Sequence, residues 1–436
     1  MKKLKVAYIC TVSNQLLYNH LSFENSAIKN FIRFLFKKKK EVFAERAPWN
    51  TILFESFTQI NDIELHPIVL IKDLKTKRQD FTIDGIHYHF IQAQKISLDF
   101  IFNPSNNILQ HFRRNRKLIK SVIEEISPDV INLVGAELTQ MSISGLDLDE
   151  NKYPLFLSMQ TALSDPDFLK NYPMEESWYQ KASTVEQALF KKFQYIGSDS
   201  EWYRSIAKLY NPNAQMLRFH FCSKLDIDYL NLNVEKEFDF VYYATNLNKA
   251  GADALQAFAQ AYKKNNTLTL NLIGDYSQEF KSYLLDIIDN NSINRNNVIF
   301  SGFFTHHKDA LQQVLKSKFA LVPIKIDIIS GTIREAMLLG LPTVSFITKG
   351  TPAINRKKEC ILLSPIGDYV GMGENMLKLV NNPQYAEELK KNALEYAQAI
   401  WDTKKNIRIL ADTYHAIYEN FHTGKEIPNY VKESIY

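Results

Sequence analysis

The 436-residue chain has only three cysteines, Cys10, Cys222 and Cys360, and they lie far apart in the sequence. This spacing fits neither a disulfide framework nor a zinc motif, so it excludes a disulfide-stapled domain and favours a reducing cytoplasm. No apolar run approaches the roughly 20 residues that a helix needs to cross a bilayer. The short apolar run in residues 1–10 is better interpreted as a first buried strand than as a signal peptide.

The charge of the chain has no strong bias, because 52 lysines and arginines face 48 acidic residues. The resulting net charge of +4 gives no support to a nucleic-acid partner. Glycine and proline are also scarce, at 14 each, and 45% of the residues are hydrophobic, which is typical of a globular protein with large cores. At this length, two domains are expected.

Strand-like apolar runs alternate with helical patterns from one end of the chain to the other. This alternation predicts an α/β protein with two Rossmann-like, doubly wound parallel-sheet domains facing a cleft. A polar stretch at residues 221–237 is the predicted linker. The predicted division is therefore one Rossmann-like domain at 1–222, a second at 237–400 and a helical segment at 401–436 that braces the two.

The most informative segment sets two carboxylates, Asp327 and Glu335, eight residues apart across a strand end, a turn and a helix start. Ser330, Gly331 and Thr332 are the predicted turn and helix N-cap. The N–H groups and the dipole at such a helix end attract a diphosphate, and Glu335, about one turn inside, can accept hydrogen bonds from ribose hydroxyls. Ordinary N-capping chemistry is the alternative interpretation.

This segment resembles the Glu-x7-Glu motif of the family-4 retaining glycosyltransferases (glycosyl transferases group 1), which have the GT-B fold. Asp327 takes the place of the first Glu. The resemblance implies that Glu335 binds the nucleotide ribose and that Asp327 contacts the donor sugar or supports its departure. It also implies a UDP- or GDP-sugar donor bound by the 237–400 domain and an acceptor bound by the 1–222 domain. Transfer with retention, and no cofactor or metal, are implied as well.

Other loops of the C-terminal half extend the resemblance. The segment around Lys249 is similar to the Arg…Lys-Gly loop of the family, although the Arg is absent and Ala250 separates Lys249 from the glycine. Lys249 would then stabilise the charge on the leaving diphosphate, and a solvated lysine is the alternative. Gly274 and Gly302 resemble the strand-ending glycines near the nucleotide base.

The N-terminal half matches the family less well. Glu137 follows an apparent strand and is the predicted contact to donor or acceptor. His87 and His89 alternate on a strand, and because no third ligand spacing accompanies them we predict a structural role and no metal site. A basic and aromatic run between Arg33 and Phe43 indicates either peripheral contact with an anionic membrane or a solvated helix face.

The sequence as a whole predicts a glycosyltransferase that moves a sugar from a nucleoside-diphosphate sugar to a saccharide or lipid-linked glycan, in surface polysaccharide synthesis. Its predicted place is the cytoplasm, at the inner face of the membrane. Two alternatives stay open. A noncatalytic nucleotide-sugar-binding or assembly subunit would explain the shortened Asp327 and the missing arginine, and a GT-B-like sugar-nucleotide epimerase would need an acid/base pair that the sequence does not identify.

Overall fold

The computed structural model describes residues 3–12, 14–23, 47–94, 107–171, 175–222, 234–325 and 329–434. The chain divides into two compact units. The first contains residues 1–222 and 403–435, and the second contains residues 223–402. The basic run between Arg33 and Phe43 lies outside the described residues. Among the described residues, no helix is both long and apolar enough to cross a membrane.

The first unit is built on a sheet of strand order β3-β4-β2-β1-β5-β6-β7-β8, in which only the β3–β4 pair is antiparallel. Central strands such as β1 and β5 are buried along nearly their whole length, as expected for parallel strands with helices on both faces. The strands are β1 Leu4–Cys10, β2 Ile63–Ile71, β3 Arg78–Ile83, β4 Ile86–Gln92, β5 Val130–Val134, β6 Leu155–Ser158, β7 Tyr195–Gly197 and β8 Gln215–Leu217. The helices are α1 Gln15–Tyr18, α2 Pro48–Phe57, α3 Arg113–Ile126, α4 Thr139–Ser142, α5 Phe168–Asn171, α6 Glu176–Lys192 and α7 Glu201–Tyr210, with 3-10 turns at Ile108–Gln110 and Ile143–Asp147.

The second unit contains a fully parallel sheet of order β11-β10-β9-β12-β13-β14. The strands are β9 Phe238–Asn246, β10 Leu270–Asp275, β11 Val298–Gly302, β12 Ser317–Val322, β13 Thr343–Phe346 and β14 Leu362–Ser364. The helices are α8 Gly251–Lys264, α9 Gln278–Asn290, α10 His307–Val314, α11 Gly331–Leu338, α12 Tyr369–Asn381 and α13 Pro383–Ile400, with 3-10 turns at Leu247–Lys249, Arg295–Asn297 and Thr351–Asn355. The order reverses between β9 and β12, and in open α/β sheets ligands bind beyond the carboxyl ends of the strands at such a point. The predicted fold class, two Rossmann-like parallel-sheet α/β domains, is confirmed.

The last helices, α14 Thr403–Thr423 and α15 Asn429–Lys432, return to the first unit. Ile407, Leu410 and Tyr414 of α14 are buried in the core of that unit. The amide of Asn132 on β5 also donates a hydrogen bond to the Tyr414 hydroxyl at 2.9 Å. The division predicted from the sequence set 401–436 apart as a brace, whereas the apolar face of α14 makes residues 403–435 part of the first unit.

Candidate functional site

Helix α11 begins at the carboxyl edge of the second sheet, just after β12 and beside the point where the strand order reverses. The Ser330 hydroxyl caps it by accepting a hydrogen bond from the Ile333 N–H at 3.2 Å. The predicted cap is therefore confirmed. The N–H groups of the first turn, which include those of Gly331 and Thr332, point out of this helix end, where the positive end of the dipole also lies.

Tyr243 fastens this helix end to the central strand β9. Its hydroxyl donates a hydrogen bond to the Thr332 carbonyl oxygen at 3.0 Å. Burial, and then the nearby Glu335 carboxylate, raise the pKa of Tyr243 well above its ordinary value, so the hydroxyl keeps its proton and remains a donor. The first turn of α11 is thus held at a fixed position over the sheet edge.

Glu335 lies one turn inside α11, as predicted, and its Oε1 is 3.0 Å from Nε2 of His307. His307 is the first residue of α10, the crossover helix that follows β11. Both side chains are partly exposed, 18% for Glu335 and 32% for His307. A carboxylate has about four lone-pair sites on its two oxygens, so the ion pair leaves acceptor capacity for ligand hydroxyls. The sequence analysis missed His307, although its position just beyond a strand end was a usable signal.

The glycines of the site differ in what they do. Gly274 has a φ of +150°, and a Cβ there would lie 2.2 Å from the Ala244 carbonyl oxygen, so the close approach of β10 to β9 requires glycine. Gly302 has a φ of +77°, in the left-handed region that glycine adopts without strain. A Cβ added at Gly331 would have Arg334 Nη2 as its nearest neighbour, at 3.9 Å. Apart from the chain neighbours of Gly331 and the backbone of its own helix, no other atom of the described residues lies within 4 Å of that position.

Two lysines follow strands that flank the reversal point. Lys249 ends the 3-10 turn Leu247–Lys249 after β9, and its side chain lies outside the described residues. Asp327, the predicted contact to the donor sugar, lies wholly outside the described residues. Lys325 follows β12, and its Nζ is 2.7 Å from Asp253 Oδ1 in the first turn of α8. Tyr369 donates a hydrogen bond to the same carboxylate. Lys325 is a cation at the predicted edge that the sequence analysis did not single out.

In the first unit, Glu137 lies just beyond the carboxyl end of β5. The chain turns at Gly135 with a φ of +73°, and the Glu137 carboxylate folds back over that glycine. Its Oε1 has no hydrogen-bond partner among the residues that the structure describes. Burial raises the pKa of Glu137 to about 8, so this side chain is a neutral acid at pH 7.

Replacing Glu137 by glutamine is expected to stabilise the first unit increasingly as the pH rises. The pKa of about 8 in the folded protein lies above the ordinary 4.5. The neutral carboxyl therefore contributes stability that is fully present below about pH 4.5 and is lost as the pH rises through about 8. The unfolding temperatures of both proteins should diverge across this range, and a difference independent of pH would contradict the assignment.

Comparison with known proteins supports the resemblance drawn from the sequence. Residues 239–382 match the family model described as "Glycosyl transferases group 1". The match spans β9 to α12, and so includes the whole of α11 and the loops around it. No curated protein sequence matches the chain.

Solved structures with the GT-B fold match most of the chain. Sucrose-phosphate synthase from Thermosynechococcus elongatus superposes with a TM-score of 0.66 at 13% identity, over 95% of this chain and 99% of that one. Anabaena HepE in complex with UDP-glucose gives 0.62 at 14% identity, over 94% and 99%. TarM of S. aureus, crystallised with UDP and α-GlcNAc-glycerol, gives 0.53 at 15% identity, over 67% of this chain and 57% of that one. The chain has the GT-B fold.

Proposed function

We propose that the protein is a retaining glycosyltransferase that moves a sugar from a nucleoside-diphosphate sugar to a hydroxyl of a saccharide or lipid-linked glycan. The observation that carries the proposal is the position of Glu335, one turn inside a capped helix that begins where the strand order reverses. Two of the similar structures support a nucleotide donor, since HepE is bound to UDP-glucose and TarM to UDP.

The donor would bind along the carboxyl edge of the second sheet. Its diphosphate would accept hydrogen bonds from the first-turn N–H groups of Gly331 and Thr332, where the helix dipole also favours an anion. The ribose hydroxyls would donate to Glu335, with His307 orienting that carboxylate. The base would lie toward Gly302 and Gly274 at the ends of β11 and β10.

The reaction would break the bond between the anomeric carbon and the diphosphate oxygen while the acceptor hydroxyl oxygen bonds to the same carbon on the same face. The hydroxyl proton would pass to the departing diphosphate oxygen. Lys249 and the helix N–H groups would stabilise the charge that develops on the diphosphate, and Asp327 would contact the sugar. Lys249 and the helix dipole would supply the charge stabilisation that a metal ion provides in other enzymes.

We place the acceptor at the first unit. Glu137 supports this, because a half-buried neutral carboxyl beyond a strand end can donate a hydrogen bond to a sugar oxygen. The basic run from Arg33 to Phe43 supports contact with an anionic membrane. We infer a role in surface polysaccharide synthesis at the inner face of the membrane.

A panel of UDP- and GDP-sugars tests the proposal in two steps. Thermal shift identifies the nucleotide that stabilises the protein, and radiolabelled donor with candidate glycan acceptors then reports transfer, hydrolysis or isomerisation. A labelled glycan with the anomeric configuration of the donor is expected. Binding without turnover would favour the noncatalytic subunit, and an isomerised sugar nucleotide would favour the epimerase. Stabilisation by none of the nucleotides would overturn the proposal.

Replacing Gly331 by alanine is expected to weaken diphosphate binding without unfolding the protein. Among the residues that the structure describes, and apart from its chain neighbours and its own helix backbone, the added methyl group meets nothing closer than 3.9 Å, but it would occupy the space through which an anion reaches the helix N–H groups. Loss of one hydrogen bond to a charged group costs about 1.5–3 kcal/mol, so affinity should fall about 10- to 100-fold. Calorimetry should show this loss for the nucleoside diphosphate and little change for the nucleoside, and equal losses for both would contradict the assignment.

A further inference from the structure

A cluster of histidines and carboxylates lies on one face of the first sheet, near the amino-terminal ends of β2 and β4. Glu64 and His66 come from β2, His87 and His89 from β4, and Asp80 from β3. The strand register places them side by side, since Ile68 pairs with His89 and Asp80 pairs with His89. This is the end of the strands opposite to the carboxyl edge, so the proposed glycosyl transfer does not use these residues.

Four of these side chains form a continuous row of short contacts. Asp80 Oδ1 is 2.9 Å from His89 Nδ1, His89 Nε2 is 3.0 Å from His66 Nδ1, and His66 Nε2 is 2.9 Å from Glu64 Oε1. His66 and His89 are both buried, at 8% exposure each. Each contact is a hydrogen bond only if one proton lies between its two atoms.

The row needs one more proton than its neutral members carry. Three contacts require three protons, whereas two neutral imidazoles bring two and the carboxylates of Asp80 and Glu64 bring none. Arg78 Nη2 lies 3.3 Å from His89 Nδ1 and its Nε donates to Asp80 at 2.8 Å, so this guanidinium can satisfy both atoms when His89 carries its proton on Nε2. In the other arrangement Asp80 accepts from His89 Nδ1, and the lone pair of His66 Nε2 then faces the Glu64 carboxylate, where a cation can lie between them.

We propose that Glu64, His66 and His87 bind a divalent transition metal of the Zn²⁺ class. One ligand atom from each of the three lies within 4.8 Å of the other two. Tetrahedral ligands at about 2.0–2.2 Å from zinc are about 3.3 Å apart, so closure requires only rotations of the side chains. Two imidazoles and a carboxylate are a set of ligands that zinc accepts.

The surrounding side chains fit such a site. Asp80 accepts a hydrogen bond from His89 Nδ1, so His89 Nε2 is free to accept one from His66 Nδ1. Because His66 then carries its proton on Nδ1, the lone pair of its Nε2 points toward Glu64 and the metal. The Thr82 hydroxyl lies 3.0 Å from His87 Nδ1 and fixes that ring in the same way. Such outer hydrogen bonds orient histidine ligands in metal sites. Lys5, 4.0 Å from Glu64, is the nearest competing cation described there.

The test is titration of Zn²⁺ into the full-length protein after treatment with a chelator, at about pH 7.5, where histidine ligands are mostly neutral. One equivalent should bind, and Co²⁺ in its place should give the visible absorption of a tetrahedral site. The His87→Ala variant should bind at least about tenfold more weakly, and Asp80→Asn about 10- to 100-fold more weakly. His20→Ala is the matched control, because His20 is exposed and stacks on Phe81 outside the cluster.

The Glu64→Gln variant distinguishes two cations that could lie between His66 and Glu64, a bound metal ion and an extra proton. The glutamine amide can donate a hydrogen bond to His66 Nε2, so it completes the row without any added charge. The metal-free variant should unfold at or above the temperature of the metal-free wild type, and Zn²⁺ should raise the unfolding temperature of the wild type alone. Equal Zn²⁺ affinity in the wild type, His87→Ala and Glu64→Gln proteins, or no binding by the wild type, would overturn the proposal.

Discussion

Replacing Glu335 by alanine is expected to weaken binding of the nucleoside-diphosphate sugar by about 10²- to 10⁴-fold. Two hydrogen bonds from ribose hydroxyls to a carboxylate contribute about 1.5–3 kcal/mol each, and every 1.4 kcal/mol changes affinity tenfold. Calorimetry with the donor that stabilises the wild type measures the loss directly. The fold should survive, because a partly exposed ion pair such as Glu335–His307 contributes about 1 kcal/mol or less.

Two further variants serve as a comparison and a control for Glu335→Ala. His307→Ala should lower donor affinity by no more than about tenfold, because His307 orients the carboxylate and lacks the proposed bonds to ribose. Glu374→Ala is the matched control, since Glu374 pairs with Lys264 on the surface of the same unit at 3.3 Å. Wild-type affinity in the Glu335→Ala protein would refute the ribose role, and a loss in the Glu374→Ala protein would show that the effect is not specific.

Replacing Lys249 by alanine is expected to lower kcat by about 10²- to 10³-fold, with a smaller change in donor affinity. An ammonium beside the leaving diphosphate gains most of its interaction energy as negative charge develops in the transition state, and removal of one such group costs about that much. Single-turnover transfer of a radiolabelled sugar measures the chemical step, and calorimetry with the intact donor measures ground-state binding.

Lys325→Ala serves as the comparison. The Lys325 ammonium is already paired with Asp253 at 2.7 Å, so its loss should reduce kcat less than loss of Lys249 does. Asp253→Asn removes the partner carboxylate and tests whether a released Lys325 substitutes for Lys249. If Lys325→Ala proves the more damaging change, the diphosphate cation is Lys325, and Lys249 is a solvated residue.

The parts of the site that depend on neighbours in sequence were predictable. Ser330 caps α11 through the N–H three residues ahead, and Glu335 follows one turn later, so both positions come from local helix chemistry. The alternation of strands and helices likewise predicted parallel sheets, because parallel strands need crossover connections. Gly274 was also predictable as a glycine at a strand end. The structure gives a packing reason for it, because a Cβ there would lie 2.2 Å from the Ala244 carbonyl oxygen.

Partners that meet only through the tertiary fold were not predictable. His307 reaches Glu335 because α10 crosses from β11 to β12 over the two strands between them. The proposed ligand partners of His87 come from β2, far away in sequence, and their alignment depends on a register that no local pattern specifies. The prediction of a structural role for His87 and His89 rested on their spacing, and it stays the alternative to the proposed metal site.

Because α14 packs in the first unit, the order of translation affects when that unit can fold. Tyr414 lies fully buried and bonded to Asn132, at the centre of a sheet whose strands are all encoded before residue 218. A ribosome releases the chain from its N-terminus onward, and domains ordinarily fold in that order. Here the first sheet keeps an apolar surface uncovered until residues 403–423 have been translated, whereas residues 238–400 of the second unit are translated before them and can fold first.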